Sequence, residues 1–226
     1  VHKEPSRDKR TVQNLINELS SAQPPFCYFI HFQGTHYKYH PLKKYYDEFG
    51  SKNLLDLVRI RRVQNSLYDS KINRYIGTYQ PRNALSEIKN LYRGCIRQVD
   101  SLIGDILISL QNNELQDDTV VLIFGDHGES FGTDGIFGHN FSLDDALVRV
   151  PLVVYDPTNS IERGRREDLV QTNDIFPTVL DMCDIDFPQT MSKNFVQEDN
   201  REFAYIHYDA ADSMYSSLES ELRESE

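Results

Sequence analysis

The stretch Val120–His139, VVLIFGDHGESFGTDGIFGH, decides how the rest of the chain is read. Its five opening apolar residues, Val120 to Phe124, end at Gly125 and an Asp-His pair. A short apolar run bounded by turn residues reads as a buried strand, of the kind found in parallel sheets. In open α/β sheets the ligand sits beyond the carboxyl ends of the strands, which is where Asp126 and His127 stand. A carboxylate beside an imidazole is a metal-ligand pair by type. The chain then runs for more than twenty residues to Arg149 before the next apolar run, far longer than a connector needs. That excursion carries Glu129, Asp134 and His139, interleaved with glycines at 125, 128, 132, 135 and 138 that permit close backbone approach.

Working upstream, Ser86 to Leu110 repeats apolar residues at three- and four-residue spacing, at Leu91, Cys95, Val99, Leu102, Ile106 and Leu110, and predicts a long helix. Before it, Phe26–Phe32, FCYFIHF, reads as a second buried strand ending at Gly34-Thr35-His36. A strand, a crossover helix and a strand form a βαβ unit with parallel strands, so Thr35-His36 and Asp126-His127 are expected at one edge of one sheet. Residues 9–20 place Val12, Leu15, Ile16 and Leu19 on one helical stripe, which Gln23-Pro24-Pro25 ends. The tyrosine-rich stretch 37–50 reads as a surface loop, and residues 51–83 as one or two short helices in a lid or insertion.

Downstream, Val150–Tyr155 predicts a third strand halted by Asp156-Pro157. Residues 174–183, DIFPTVLDMC, predict a short helix capped by Thr172 or Asn173, with Pro177 tolerated in its first turn. Phe203–Tyr208 reads as a last strand, and the acidic, serine-rich residues 213–226 as either a solvated helix or a disordered tail. The division expected is a catalytic-type domain over residues 1–190 and a C-terminal segment over 191–226.

The whole chain sets outer bounds. With 35 acidic against 24 basic residues and a net charge of −11, it lacks the basic surface that nucleic-acid phosphates require. No segment reaches the roughly 18 apolar residues of a membrane span. Cys27, Cys95 and Cys183 are widely spaced, odd in number and set in apolar contexts, and read as buried thiols. Val1-His-Lys-Glu-Pro-Ser, which lacks an initiator Met, reads as the middle of a longer chain.

Five blocks in order, PFCYFIHFQGTHYKY, YRGCIRQVDSLIGDIL, FGDHGESFG with its downstream GH, RVPLVVYDP and TNDIFPTVLDMCDI, resemble the second half of the sulfatase family in the alkaline phosphatase superfamily. The resemblance covers roughly residues 8–188. It implies an α/β fold, a mostly parallel sheet flanked by helices, present as a partial domain. It implies that Asp126 and His127 supply two ligands to a divalent metal ion (calcium, manganese or zinc). It gives His36 and His139 catalytic positions facing the anionic or leaving-group oxygens of the substrate, a small-molecule or glycan sulfate or phosphate ester. Glu129 and Ser130 would support that site. His31 is expected to face the core, and His2, His40 and His207 the surface. Asp100 is expected to be structural and Arg149 an ion-pair partner.

The resemblance also implies an upstream nucleophile, because none of the cysteines sits in the Cys-x-Pro-x-Arg pattern of sulfatase maturation. Many sulfatases carry a Lys before the downstream His, where Gly138 stands here, so a phosphodiesterase or a phosphoethanolamine or glycerol-phosphate transferase is the rival reaction. A non-catalytic binding domain of the same fold is the rival class. A serine hydrolase using Ser130 is set aside, since HGESFG lacks the first glycine of the nucleophile elbow.

Overall fold

The computed structural model describes residues 6–69, 82–132, 137–139, 142–158, 161–186, 188, 192–196 and 201–207. They fall into two compact units. The first comprises Val1–Val120 with Glu129–Gly138, and the second Val121–Gly128 with His139–Glu226.

The spine of the first unit is helix α4, Arg82–Asn112, four residues longer at its start than its apolar repeat predicted. Helices α1 (Arg7–Leu19), α2 (Lys43–Tyr46) and α3 (Leu54–Asp69) all pack on it. Helix α1 begins where the Ser6 hydroxyl accepts the Lys9 N–H at 3.3 Å, and of the predicted stripe it buries Val12, Leu15 and Leu19 and half-buries Ile16. Gly94 lets α2 approach α4, since a Cβ there would stand 3.1 Å from Pro41 and 3.2 Å from the Tyr46 backbone.

The core is the tyrosine-rich stretch read as surface. Tyr39 and Tyr46 are fully buried with Leu57, Ile60, Ile88, Leu91 and Cys95. Aromatic rings bury large areas and pack edge to face, and Tyr37 and Tyr39 do so at 5.2 Å. Their backbone is provided for by α3: the Gln64 amide accepts the Tyr39 N–H at 2.8 Å and donates to the Tyr39 carbonyl at 3.1 Å. Helix α3 is therefore part of the core where a lid or insertion was expected; the rest of that expectation, residues 70–81, lies outside the described residues.

The run 26–32 joins no ladder among the described residues. Cys27, Tyr28, Phe29 and His31 are exposed, Phe29 to 81%. This corrects the buried strand, the buried Cys27 and the core-facing His31. An apolar run supplies strand propensity, but a strand also needs hydrogen-bonding neighbours, and these residues have none in the described ladders.

In the second unit β1 (Val121–Phe124) pairs antiparallel with β4 (Leu152–Tyr155), with Val121 opposite Tyr155 and Phe124 opposite Leu152. The Gly125 N–H extends the ladder to the Pro151 carbonyl at 3.2 Å. Strands β2 (Ser130–Phe131) and β3 (Phe137–Gly138), in the first unit, form a second antiparallel pair. The parallel pairing expected of 26–32 is not among these ladders.

Helix α5 (Asp145–Val148) lies on the return from the loop. The 3-10 turn Thr172–Asp174 leads into α6 (Ile175–Met182), where Gln171 and Asp174 form a reciprocal cap in place of Thr172 or Asn173. Asp174 is 1% exposed and accepts the backbone N–H groups of Gln171 and Lys193, both at 2.8 Å, and the Arg201 guanidinium. This node fastens Lys193 and Arg201 to the start of α6. Residues 203–207 form no strand, leaving Phe203, Tyr205 and Ile206 exposed. Cys183 is exposed as well, and only Cys95 meets the expectation of a buried thiol. Tyr208, the tail 213–226 and His2 lie outside the described residues.

Candidate active site

The site is best built from the carboxyl end of β1. Gly125 turns the chain out of the ladder with Val150 packed 3.2 Å from where its Cβ would be. Asp126 follows, and its Oδ1 accepts the His127 backbone N–H at 3.0 Å, which orients the carboxylate. His127 Nδ1 lies 2.8 Å from the Gly128 carbonyl. A carbonyl only accepts, so Nδ1 carries the proton and Nε2 holds the lone pair.

That Nε2 lies 4.0 Å from Asp126 Oδ2. Two donor atoms at that separation can share one ion, although bonds of about 2.0–2.2 Å reach both only at an angle of about 130° or more, wider than tetrahedral. The bonds of about 2.3–2.6 Å typical of calcium span it with room. Both side chains are open to solvent, His127 by 43% and Asp126 by 66%. The carboxylate, the imidazole tautomer and the spacing thus fit two ligands of a divalent cation. Among the described residues no group of three or more His, Cys, Asp or Glu completes such a site.

Gly128 locks this corner. Its N–H donates to the Leu147 carbonyl of α5 at 2.7 Å, and a Cβ would lie 2.0 Å from the Ala146 carbonyl oxygen. His139 returns in the same unit, its ring 4.3 Å from that of His127 and tilted 31° to it. Asp126, His127 and His139 are therefore brought together. Arg149 pairs with Asp145 at 3.7 Å, as expected of an ion-pair partner.

His36 belongs to the first unit. It closes a turn, its N–H donating to the Gln33 carbonyl at 3.1 Å, and its Nδ1 lies 2.6 Å from the Tyr37 carbonyl. As with His127, the carbonyl only accepts, so Nδ1 carries the proton of that bond. Glu129 and Ser130 also lie in the first unit. The Tyr39 hydroxyl donates to Glu129 Oε2 at 2.6 Å, and Ser130 is 2% exposed. Burial first, and then the Glu129 charge, push the Tyr39 phenol far above its ordinary range, so it remains a donor. Phe131 and Phe137 of the β2–β3 pair pack onto Tyr39, Tyr92 and Tyr37 at ring distances of 5.0–5.9 Å. Asp134 lies outside the described residues. Asp100 is exposed and pairs with Arg97 at 3.0 Å.

Tyr39 and Asp8 were missed by sequence reasoning. Tyr39 was hidden because Pro41 and Gly50 make its tyrosine-rich stretch read as a loop. Asp8 had a signal: it falls on the α1 stripe with Val12, Leu15 and Leu19, where a carboxylate is out of place.

The family model described as Sulfatase matches residues 3–185. The arylsulfatase of Clostridium perfringens is 27% identical over 210 residues, which cover 87% of this chain and 43% of that protein. A putative sulfatase of Bacteroides fragilis superposes with a TM-score of 0.59 at 20% identity, over 77% of this chain and 36% of that one. A phosphonate monoester hydrolase of Silicibacter pomeroyi superposes with a TM-score of 0.50 at 22% identity, over 56% and 26%. The chain spans less than half the length of these relatives.

Proposed function

The chain belongs to the sulfatase family, with the α/β fold of the alkaline phosphatase superfamily, and from that premise we propose that it forms part of a metal-dependent hydrolase of sulfate esters. Asp126 and His127 ligate the divalent ion, and His36 and His139 face the ester oxygens. The observation that carries this reading is the pinning of His127 Nδ1 by the Gly128 carbonyl, which leaves Nε2 as a ligand atom 4.0 Å from Asp126 Oδ2. Second-partner hydrogen bonds of this kind set the tautomer and orientation of metal-binding histidines.

A bound divalent ion supplies polarisation of the ester oxygens and a lowered pKa at the nucleophile. The nucleophile comes from residues outside this chain, since the contexts of Cys27, Cys95 and Cys183 do not fit sulfatase maturation. Its oxygen attacks sulfur, and the bond from sulfur to the alkoxide oxygen breaks. The departing oxygen takes a proton from Nε2 of an imidazolium, for which His36 is held by the Tyr37 carbonyl.

A phosphodiester or phosphotransfer reaction is the second reading, favoured by Gly138 standing where many sulfatases hold a lysine. Gly138 has φ +95°, a conformation that glycine adopts without strain and lysine does not. The test is to assay the full-length protein on aryl sulfate and aryl phosphodiester, with metal content measured in parallel. Cleavage of the sulfate alone is expected, and cleavage of the diester alone overturns the sulfate assignment. His127→Ala should lose at least about 100-fold in activity together with bound metal, and should stay folded because the side chain is largely exposed. Full activity with normal metal content in that variant defeats the ligand assignment. A full-length protein that binds no divalent ion is the non-catalytic domain instead.

A further inference from the structure

Asp8 is a carboxylate buried to 5% exposure, one turn before Val12 on the apolar stripe of α1. Charged side chains are seldom this buried unless something is held by them. Its Oδ1 accepts the Gln33 backbone N–H at 3.0 Å. Its Oδ2 lies 2.7 Å from where a Cβ on Gly34 would stand, and Val99 of α4 closes on the same glycine at 3.1 Å. The Gln33 carbonyl in turn accepts the His36 N–H at 3.1 Å. A continuous path therefore runs from a buried charge, through the backbone of one residue, to the backbone of His36, whose own side chain is exposed.

We infer that Asp8 is a positioning residue for His36: it holds the Gln33–His36 turn, and through it the imidazole, in register with the leaving oxygen of the ester. The inference rests on His36 serving the reaction as proposed above. A carboxylate suits the task because a charge-assisted hydrogen bond is stronger than a neutral one. Its place in the first turn of α1 also sets the negative charge at the favourable end of the helix dipole. Gly34 completes the arrangement, as any side chain there would push the carboxylate off the turn.

The experiment uses full-length protein and two esters, para-nitrophenyl sulfate with a good leaving group and phenyl sulfate with a poor one. The matching nitrophenyl and phenyl phosphodiesters replace them if the assay above selects diesters. Displacing a catalytic group by about 1 Å costs up to about 100-fold, so Asp8→Ala should lower kcat on the phenyl ester about tenfold or more. The nitrophenyl ester, whose leaving oxygen needs little protonation, should be nearly unaffected, with KM unchanged on both. The loss should vanish in a His36→Ala background. Asp8→Asn, which keeps an acceptor oxygen, should restore most of it.

Gly34→Ala, which retains the carboxylate but crowds it, should reproduce the leaving-group-selective loss, and it serves as the test if Asp8→Ala does not fold. An impaired His36→Ala enzyme in which Asp8→Ala still costs the same factor, or equal losses on both esters, overturns the inference alone. A fully active His36→Ala enzyme removes His36 from the reaction and overturns the reading beneath it.

Discussion

The two units are held together by different chemistry. In the unit built on α4, burial is mainly apolar and aromatic: Tyr39, Tyr46, Leu57, Ile60, Ile88, Leu91 and Cys95 form one cluster. In the unit containing β1 and β4, the described residues with least exposure include Asp174, Thr178 and Asn194, while Val153, Tyr155 and Phe176 stay open to solvent. Hydrophobic burial is non-directional and spreads its contribution over many contacts. A polar node depends on every partner being present, since one orphaned buried group costs its full desolvation. The first unit should therefore weaken by degrees and the second at single points.

The largest effect expected is at the Asp174–Arg201 pair, whose side chains are 2% and 9% exposed. Removing one partner of a buried ion pair costs about 3–5 kcal/mol, so Asp174→Ala should cost that much in denaturant unfolding and speed hydrogen exchange at the Lys193 amide. A change below about 1 kcal/mol would remove the contrast between the units.

Gly128→Ala comes next. Its methyl group cannot coexist with the Ala146 carbonyl oxygen 2.0 Å away, and overpacking of this kind costs about 1–3 kcal/mol. The second unit should lose stability and the Gly128–Leu147 hydrogen bond, read as faster exchange of the Gly128 amide.

The third test uses pH. Burial pushes the Cys95 thiol from 9.0 up to about 12 and the Tyr46 phenol up to about 12. A group whose acid form is favoured in the folded state binds more protons folded than unfolded between those two values. Stability should therefore fall as pH rises from 9 towards 12, by at most about 1.4 kcal/mol per pH unit per group. Cys95→Ala should flatten the alkaline limb, and an unchanged limb would show that the thiol is not what the first unit shields.

The smallest effect expected is that of Tyr39→Phe, which keeps the ring in the cluster and removes the hydroxyl from Glu129. It should cost about 1–2 kcal/mol, and double-mutant analysis with Glu129→Ala should return most of that as coupling energy. Additive losses would mean that the pair stands close without interacting.

The elements most legible in the sequence were those with a strong period. Helix α1 and helix α4 were placed by their apolar spacing, and β1 by its run from Val120 to Phe124. The dense loop after it held Asp126, His127 and His139, and these three do converge in one unit. What failed most was the inference from composition to exposure, although it held for Cys95. Tyr39 and Tyr46 lie in a stretch that Pro41 and Gly50 punctuate as a surface loop, yet an aromatic body buries readily once its backbone is satisfied, as Gln64 satisfies that of Tyr39. Phe26–Phe32 was assigned to a buried strand because it is apolar, yet ladder partners decide that outcome and an isolated run carries no information about them.

By itself the sequence determined the chemistry available: a carboxylate and an imidazole at a strand end, glycines where the chain must pass close to itself, and apolar stripes at helical spacing. These are local properties, written in residue type and period. Tertiary structure alone decided which groups are held and by what. It put the Gly128 carbonyl against His127 Nδ1, Tyr39 against Glu129, and the buried Asp8 under the turn that carries His36. The last two contacts join residues 90 and 25 positions apart, and no local pattern reports which distant segment will supply a donor or an acceptor.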